Sequence, residues 1–300
     1  MARALVITNP AAARTREVAV LTVLRTLRAA GWEADVLATG GPGDARTLAE
    51  HAVRDGSVDV VAVFGGDGTT MQAASALVGT GVTLGVIPGG TGNLLAANLG
   101  IPVSPARAAA ALVRGRPAPF DLGRVERRDG VHYFAVACGA GYDARVMAAT
   151  QSAQKQRYKI AAYIATTFRL IAEMRIARYY ITVDGVEYEA DGAVVLVANC
   201  GLVVPPFIRL RSGITPDDGL LDVVVLRAGN IGEGMRAVWE LVRERPSHGR
   251  ETFVGYAQGR EVSVVSDPVE PVQFDGDAAG ETPFTATVVP GAITIMVPRA

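Results

Sequence analysis

The apolar run 58–64 leads directly into Gly65-Gly66-Asp67-Gly68-Thr69, and this junction constrains the fold more than any other feature of the chain. The run predicts a buried strand, and apolar residues at helical spacing follow it as far as residue 78. Glycine adopts positive φ and has no Cβ, so backbone N–H groups in such a turn can approach an anion closely. We expect a phosphate-binding turn at a helix N-terminus, where the helix dipole also favours negative charge. A plain tight connection is the alternative.

The first part of the chain alternates between strand and helix patterns. Strands are predicted over 4–8, 33–37, 58–64 and 83–87, and helices over 16–30, 44–54, 70–78 and 105–114. Such alternation is typical of a parallel α/β sheet. Ligands of these sheets bind beyond the carboxyl ends of the strands, where Asn9, Thr39, the Gly65 turn and the loop 88–93 fall. Four loops are therefore expected to converge on one edge.

After residue 123 the pattern changes to short strands with turn signals. Asp184-Gly185, between Val183 and Val186, predicts a tight hairpin. Helical patterns interrupt this part at 144–176 and 231–244. We predict two domains, residues 1–123 and 124–300, and leave open that the last strand returns to the first domain. The predicted strands are 131–138, 179–183, 188–190, 193–199, 221–226, 261–265, 272–274, 284–289 and 292–297.

Composition narrows the class of protein. A formal net charge of -1 over 300 residues gives no global attraction to nucleic acid. Cys138 and Cys200 stand far apart in apolar runs, which predicts buried free thiols of a cytoplasmic protein. No signal peptide is expected, because the first apolar run is short and reaches Asn9-Pro10. No apolar stretch approaches the roughly 20 residues needed to span a bilayer, so peripheral membrane contact is the membrane alternative that remains.

A second glycine loop, Pro88-Gly89-Gly90-Thr91-Gly92-Asn93, also follows a predicted strand. Together the two loops could hold a nucleotide triphosphate from both sides, with the Thr69 and Thr91 hydroxyls as further donors. The chain has neither a P-loop sequence nor the protein-kinase motif set. The stretch 139–144 fits Gly-x-Gly-x-x-Gly/Ala, but no acidic residue occurs between Asp143 and Glu173 to hold a ribose, so a dinucleotide site is not expected there.

These motifs, taken together, resemble the diacylglycerol kinase catalytic-domain family, which includes bacterial diacylglycerol kinases and sphingosine and ceramide kinases. The resemblance covers nearly the whole chain and depends on the order and spacing of the motifs. They are Asn9-Pro10, Thr39 with Gly43-Asp44-Ala45, residues 65–69, residues 88–93 continuing into Leu99-Gly100-Ile101-Pro102, Phe120-Asp121-Leu122-Gly123, residues 217–222, and Asp275-Gly276-Asp277.

The resemblance implies an ATP- and Mg²⁺-dependent lipid kinase with a nucleotide cleft between an N-terminal α/β nucleotide-binding domain and a C-terminal β-sandwich-like lipid-substrate domain. Phosphoryl transfer needs positioning, charge neutralisation and one carboxylate that accepts the hydroxyl proton. The resemblance assigns catalysis to Asp277 as base, with Asp67 and Asp121. The residues it assigns to ATP are Asn9, Pro10, Thr39, Gly65, Gly66, Asp67, Gly68, Thr69, Thr70, Gly90, Thr91 and Asn93.

The chain departs from the family pattern at two points. Asp277 stands where the family has glutamate, so the carboxylate is one methylene shorter and must be carried closer to the substrate hydroxyl. Met71-Gln72 stands where the family has Asn-Glu, which could weaken phosphate or metal contacts. The family's structural Mg²⁺ would lie in the Asp-Gly-Leu turn, at Asp218 with carbonyl oxygens near Thr215 and Leu220. A plain turn is the alternative.

A lipid substrate is suggested by the segment 144–172, which mixes five basic residues with apolar ones and has no acidic residue. It is a candidate for contact with an anionic membrane at the inner face, and a solvated basic helix face is the alternative. The substrate would be diacylglycerol, a sphingoid base, ceramide or phosphatidylglycerol. The other hypotheses are a soluble kinase of the NAD kinase or phosphofructokinase type and a catalytically weak lipid- or nucleotide-binding protein. The oligomeric state, monomer or homodimer, is left open.

Overall fold

The computed structural model describes residues 2–141, 176–204, 208–210, 213–227 and 254–299. It divides into two compact units, Met1–Leu122 with Pro290–Ala300 (unit 1) and Gly123–Val289 (unit 2). Within the described ranges, no helix has the length and apolar character to cross a bilayer.

Unit 1 is built on a parallel sheet in the order β2-β1-β3-β4. Every residue of β3 is buried, as its unbroken apolar sequence requires. Helix α1 packs on α5, and α2 packs on α3. The elements are β1 (Arg3–Thr8), α1 (Glu17–Ala29), β2 (Glu33–Ala38), α2 (Asp44–Asp55), β3 (Val60–Gly65), α3 (Asp67–Leu77), β4 (Thr83–Pro88), α4 (Leu94–Asn98) and α5 (Pro105–Arg114).

The rest of the described chain is made of strands. They are β5 (Arg116–Arg127), β6 (Gly130–Phe134), β7 (Ala137–Gly141), β8 (Ala177–Val183), β9 (Val186–Gly192), β10 (Val194–Ala198), β11 (Leu202–Val204), β12 (Ile208–Arg209), β13 (Leu221–Leu226), β14 (Val254–Gly259), β15 (Glu261–Asp267), β16 (Pro271–Phe274), β17 (Asp277–Glu281) and β18 (Phe284–Val297). The last residues of β18 pair in parallel with β4, at Thr294 to Thr83 and Ile295 to Leu84.

Unit 2 contains two antiparallel sheets. One includes β15 between β18 and β8, followed by β9, and the other has the order β14-β13-β10-β7-β16-β17. Inward residues of both sheets form one apolar core, as in a sandwich. The core includes Tyr179, Ile181, Val262 and Val264 from the first sheet and Val195, Val197, Val223 and Val272 from the second. The predicted fold class, a parallel α/β domain followed by a β-sandwich-like domain, is confirmed.

Several predicted boundaries were wrong. The strand predicted over 131–138 is two strands, β6 and β7, because the backbone bends at Ala135 and Val136. The strands predicted over 284–289 and 292–297 are one continuous strand, β18, although Gly291 has a φ of 55°. Helix α4 and strands β5, β11, β12, β14 and β17 were missed, and β9 is longer than predicted. Helix α3 begins at Asp67 rather than Thr70, so Gly68 lies inside its first turn despite glycine's low helix propensity.

Candidate functional site

The two glycine loops of unit 1 lie directly against each other. Gly89 N and Gly90 N donate to the carbonyl oxygen of Gly65 at 2.7 and 3.1 Å. A Cβ on Gly90 would lie 2.7 Å from the Cα of Gly66, so no larger residue fits without moving backbone. The loops therefore form one joined surface, and their holding a nucleotide triphosphate from both sides stays a prediction. The Gly90 N–H also donates to Asn93 Oδ1 at 2.9 Å, so this donor is already engaged within the protein.

Helix α3 starts immediately after this contact. Gly66 is its N-cap in extended conformation, and the N–H of Thr70 is the one that bonds back to Gly66 O, at 3.0 Å. The N–H groups of a helix's first residues have no partner inside the helix and point outward beyond its N-terminal end. Thr70 Oγ1 also donates to Gly66 O at 3.0 Å. This turn has the backbone geometry that favours a phosphate.

Asn9 connects the end of β1 to this helix. Its Nδ2 donates to Thr69 Oγ1 at 3.0 Å, and its backbone N–H donates to Phe64 O at 3.2 Å. Thr69 is buried, and Pro10 follows Asn9 on the exposed side of the loop. The predicted site residues Asn9, Pro10 and Thr69 thus lie close to the Gly65 turn.

Arg14 and Gln72, which sequence reasoning did not place in the site, also contact its loops. The Arg14 N–H donates to Gly89 O at 2.9 Å, and its guanidinium donates to Gly90 O. Gln72 Oε1 accepts from the N–H of Gly43 at 3.1 Å, which links α3 to the loop that begins at Thr39. The position of Arg14, five residues after Asn9 in the same loop, was the available signal for it. Gln72 was noted in the sequence only as part of the Met71-Gln72 departure from the family's Asn-Glu, which did not indicate a contact with Gly43.

The Thr39 loop is held by its own carboxylate. Asp44 Oδ2 accepts from Gly40 N at 2.7 Å and from Gly41 N at 2.9 Å, and Thr39 N donates to Thr8 O at 2.8 Å. Thr39 is half-buried at the carboxyl end of β2. The predicted convergence of strand ends on one edge of the parallel sheet is what the geometry shows.

Asp67 is the half-buried carboxylate of this surface. Burial raises its pKa, and backbone N–H groups of Leu95, Asn93 and Leu94 oppose the rise. Leu95 N donates to Asp67 Oδ1 at 3.3 Å. Asn93, in the left-handed region at φ 53°, begins α4, and Thr91 is exposed beside it. A Cβ on Gly92 would lie 2.9 Å from Asp67 Oδ2, so a larger residue there would require the Asp67 carboxylate or the loop to shift.

Asp121 lies in the buried part of β5, where Gly291 N donates to its Oδ1 at 2.7 Å. The carboxylate therefore holds the backbone of β18 at Gly291 within unit 1.

Asp275 and Gly276 form the two-residue turn of the hairpin β16–β17 in unit 2. Their φ values are 48° and 92°, and Phe274 pairs with Asp277 across the turn. Positive φ at both positions identifies a type I′ turn, for which Asp-Gly is a favoured sequence. Asp277, the first residue of β17, is exposed, yet the protein atoms that do cover its carboxyl raise its pKa by desolvation.

Two family models match the chain. The diacylglycerol kinase catalytic domain matches residues 3–125, and the YegS C-terminal NAD kinase beta sandwich-like domain matches residues 136–297. The chain belongs to the diacylglycerol kinase family. The predicted resemblance to this family is confirmed.

Relatives and solved structures of the diacylglycerol kinase family agree with this assignment. A diacylglycerol kinase of Mycobacterium tuberculosis is 30% identical over 87% of this chain and 83% of that protein. A probable lipid kinase YegS-like of Pseudomonas aeruginosa is 31% identical over 90% of this chain and 87% of that protein. A Bacillus anthracis structure that carries the name of a diacylglycerol kinase is 25% identical, with a TM-score of 0.79 over 98% of this chain and 96% of that one. A longer Synechocystis protein, 26% identical, is matched over 56% of its length.

The remaining predicted site residues are those expected to hold a structural Mg²⁺. Asp218 is exposed, and its carboxylate accepts from Leu220 N at 3.0 Å and Gln258 Nε2 at 3.4 Å. Thr215 is exposed and Leu220 half-buried nearby in the same turn. Among the residues that the structure describes, no cluster of three His, Cys, Asp or Glu side chains could hold a metal. A carboxylate with carbonyl oxygens is nevertheless a donor set that suits a hard cation.

Several other predictions fall partly or wholly outside the described residues. The basic segment 144–172 lies outside them, as do nearly all of the helical patterns at 144–176 and 231–244. Of the Gly-x-Gly-x-x-Ala stretch, residues 139–141 lie in β7, buried in the sheet instead of in a strand-to-helix turn. Cys138 and Cys200 are buried free thiols whose pKa is raised, first by burial and then by the charge of Asp275.

Proposed function

We propose that this member of the diacylglycerol kinase family transfers the γ-phosphoryl group of ATP, in the presence of Mg²⁺, to the hydroxyl of diacylglycerol or a related lipid. The observation that carries the proposal is the joined surface of two glycine loops in unit 1, with Asp67 beside it. Its backbone contacts require glycine at Gly90, and its helix N-terminus suits a phosphate.

Nucleotide binding is assigned to unit 1. The first N–H groups of α3 would meet the phosphates, with the Thr69 and Thr91 hydroxyls at the same surface. The Arg14 guanidinium, bonded to Gly90 O, would add positive charge there. The full proposed set is Asn9, Pro10, Thr39, Gly65, Gly66, Asp67, Gly68, Thr69, Thr70, Gly90, Thr91 and Asn93, with Arg14 added.

Asp67 would hold the catalytic Mg²⁺. Its partly buried carboxylate, next to the phosphate surface, is a hard oxygen donor of the kind that Mg²⁺ prefers. The ion, when bound, neutralises phosphate charge. A second, structural Mg²⁺ at Asp218 with the carbonyls of Thr215 and Leu220 is part of the proposal, supported by the donor set.

Asp277 would act as the general base. It takes the proton of the lipid hydroxyl as that oxygen attacks the γ-phosphorus, and the bond to the ADP oxygen breaks. Desolvation raises its pKa, which makes the carboxylate a better proton acceptor than an ordinary aspartate. Asp121 is proposed as the third carboxylate of the catalytic set, and its Oδ1 accepts from Gly291 N at 2.7 Å.

The lipid part of the proposal is supported by the names of the relatives and by the composition of 144–172. We propose contact with an anionic membrane at its cytoplasmic face, with the protein otherwise in the cytoplasm. The C-terminal family model is described as an NAD kinase beta sandwich-like domain, and this observation keeps a soluble NAD kinase as the second candidate. A catalytically weak binding protein is a third, because Asp277 is shorter than glutamate. Whether the protein forms a homodimer stays a prediction.

The test is a transfer assay with radiolabelled ATP and Mg²⁺ against dioleoylglycerol, sphingosine, ceramide, phosphatidylglycerol and NAD, the lipids in mixed micelles. We expect label in one of the lipids. The Asp67→Asn and Asp277→Asn variants should each lose about 10²-fold or more in kcat. Asp35→Asn, an exposed carboxylate on β2, is the matched control for Asp67 and should stay within about 2-fold.

Each contrary result points to a different error. Label in NAD alone would show that the substrate is not a lipid. ATP binding without label in any product would favour the binding protein. An Asp277→Asn variant as active as the wild type would remove Asp277 from the role of base, with the kinase assignment unaffected.

A further inference from the structure

The hairpin that carries Asp277 is fixed to the rest of unit 2 through Asp275. Asp275 Oδ2 accepts from Ala135 N at 2.7 Å, and its Oδ1 accepts from Val136 N at 2.8 Å and Ala137 N at 3.0 Å. In return, the Asp275 N–H donates to Ala137 O at 3.0 Å. One side chain thus binds three consecutive N–H groups at the bend between β6 and β7.

The carbonyl oxygens of the bend that Asp275 binds are also engaged in hydrogen bonds. Asn199 Nδ2 and Cys200 Sγ donate to Ala135 O at 2.9 and 3.3 Å, and the N–H groups of the same two residues donate to Val136 O. Asn199 and Cys200 are buried. The bend is therefore a rigid anchor, because both its donors and its acceptors are engaged by buried or half-buried groups.

Arg127 holds the far end of β17, the strand that begins at Asp277. Its guanidinium donates to Ala279 O and, at 2.9 Å, to Glu281 O. The β16–β17 register shifts between Pro271 and Gln273, and Gly280 has a φ of 87° at this irregularity. Such a bulge turns carbonyls out of the ladder, where a fork of N–H donors can reach them.

We propose that Asp275 is a positioning residue for Asp277, and that Arg127 assists it from the other end of β17. The inference depends on the proposed function, since it gives Asp275 its role through the proposed base. Asp275-Gly276-Asp277 contains two carboxylates, and their different hydrogen bonding and exposure give them different roles. Both carboxylate oxygens of Asp275 accept hydrogen bonds from backbone N–H groups. Asp277, two residues later, has an exposed carboxyl whose position is set by the turn that Asp275 anchors.

A shift of about 1 Å in a reacting group can cost about 10²-fold in rate. The Asp275→Asn change keeps a side chain that tolerates positive φ but replaces one oxygen by an amide that cannot accept from Ala135 N. We expect kcat to fall about 10- to 100-fold. The KM for ATP should stay within about 2-fold, because the proposed nucleotide contacts come from unit 1.

The test is a double-mutant cycle of Asp275→Asn and Asp277→Asn, assayed with radiolabelled ATP and dioleoylglycerol in mixed micelles. If Asp275 acts through Asp277, then Asp275→Asn should lower kcat less than about 3-fold in the Asp277→Asn background. An equal loss in both backgrounds would overturn the inference, because it would mean a general effect on the fold. A wild-type kcat for Asp275→Asn with an inactive Asp277→Asn would also overturn it, while the proposed function would stand.

The pH profile separates positioning from proton transfer. The acid limb of kcat should persist in Asp275→Asn at its reduced height and disappear in Asp277→Asn. The reverse would exchange the two roles and contradict the proposal. Wild-type activity in Asp277→Asn would instead show that Asp277 is not the base. The two single variants therefore distinguish a wrong base from a wrong positioning residue.

The matched control is Asp184→Asn. Asp184 has a φ of 47°, precedes Gly185 in a hairpin of the same unit, and accepts from Arg260 N and Glu261 N. It should keep kcat within about 2-fold, and a larger loss would show that any damaged Asp-Gly turn lowers activity. If Asp275→Asn does not fold, Arg127→Met replaces it in the cycle, since it keeps an apolar stem and removes both carbonyl contacts. The same non-additivity is expected, and additivity would overturn the inference.

Discussion

In the described part of unit 2, two hairpins turn at an Asp-Gly pair in which both residues have positive φ, and their construction is nearly identical. Asp184 and Asp275 have φ values of 47° and 48°, and each is followed by a glycine with positive φ. Each aspartate binds the backbone of a neighbouring segment in the same way. The carboxylate accepts from consecutive N–H groups, and the aspartate's own N–H donates to a carbonyl of that segment, Glu261 O for Asp184 and Ala137 O for Asp275.

The two hairpins differ in their surroundings and in the residue that comes next. Asp184 is exposed and is followed after Gly185 by Val186, whereas Asp275 is half-buried and is followed after Gly276 by Asp277. Backbone N–H groups lower the pKa of Asp184, and desolvation raises the pKa of Asp277. A common turn can therefore be used for shape alone or to carry an acid, and the acid is the residue that follows the turn.

The largest expected difference between the two hairpins is the stability lost when the aspartate of the turn is replaced by alanine. Asp275→Ala leaves three N–H groups of the 135–137 bend without their carboxylate and puts Ala at positive φ. We expect a loss of about 3 kcal/mol in the free energy of unfolding. Asp184→Ala should lose less, because water can replace an exposed carboxylate at Arg260 N and Glu261 N.

Urea unfolding followed by circular dichroism measures both changes. Equal losses in the two variants would mean that the burial of the 135–137 bend adds nothing, and the structural distinction between the hairpins would be wrong.

The hairpins also show how far the sequence could predict this molecule. Asp184-Gly185 was predicted as a hairpin because strand-forming residues flank it on both sides. Asp275-Gly276 was interpreted only as part of a catalytic motif, since Asp277-Ala278-Ala279-Gly280 has no strand character. Strand β17 is held by pairing with β16 and by Arg127, which lies 152 residues from Ala279 along the chain. Such tertiary contacts override local propensity.

The same reasoning applies to unit 1. The parallel sheet and the position of Asn9, Thr39 and Gly65 at its edge were predictable, because helix and strand periods alternate and parallel strands end at one edge. The direct contact of Gly66 with Gly90 was not, because two glycine loops have the same composition whether they face a ligand or each other. The contact of Arg14 with Gly90 O likewise depends on loop geometry that no periodicity encodes.

Alanine substitutions at one glycine of each hairpin should change stability by a smaller amount and again differ between the two hairpins. Gly185 and Gly280 have φ values of 84° and 87°, so alanine is strained equally at both. A Cβ on Gly185 meets nothing within 4 Å, whereas one on Gly280 would lie 2.9 Å from Arg127 Nη2. We expect Gly185→Ala to cost about 1 kcal/mol and Gly280→Ala about 2 kcal/mol.

The guanidinium is the far end of a flexible side chain, so the added cost at Gly280 measures how firmly Arg127 holds β17. Urea unfolding gives the two values, and Gly280→Ala in an Arg127→Met background should fall to the cost of Gly185→Ala. If the two glycine variants were equally stable in the wild-type background, Arg127 would not hold the strand.

The smallest expected effect is in the pH dependence of stability, where the two hairpins should have opposite signs. The folded pKa of Asp184 lies below its ordinary value of 3.8, so its stabilisation is present above that pH and is lost as pH falls through the folded pKa. The folded pKa of Asp277 lies above 3.8, so ionising it costs stability as pH rises from 3.8 through the folded pKa.

Melting temperatures of the wild type and two variants, at about pH 3, pH 5 and pH 7, test this difference. Asp184→Asn should be destabilising at neutral pH and less so at the most acid pH. Asp277→Asn should be nearly neutral in acid and become stabilising toward pH 7, because the variant no longer carries a charge that the protein desolvates. A destabilising Asp277→Asn at neutral pH would mean that the folded protein stabilises this carboxylate, and Asp277 would then resemble Asp184 instead of contrasting with it.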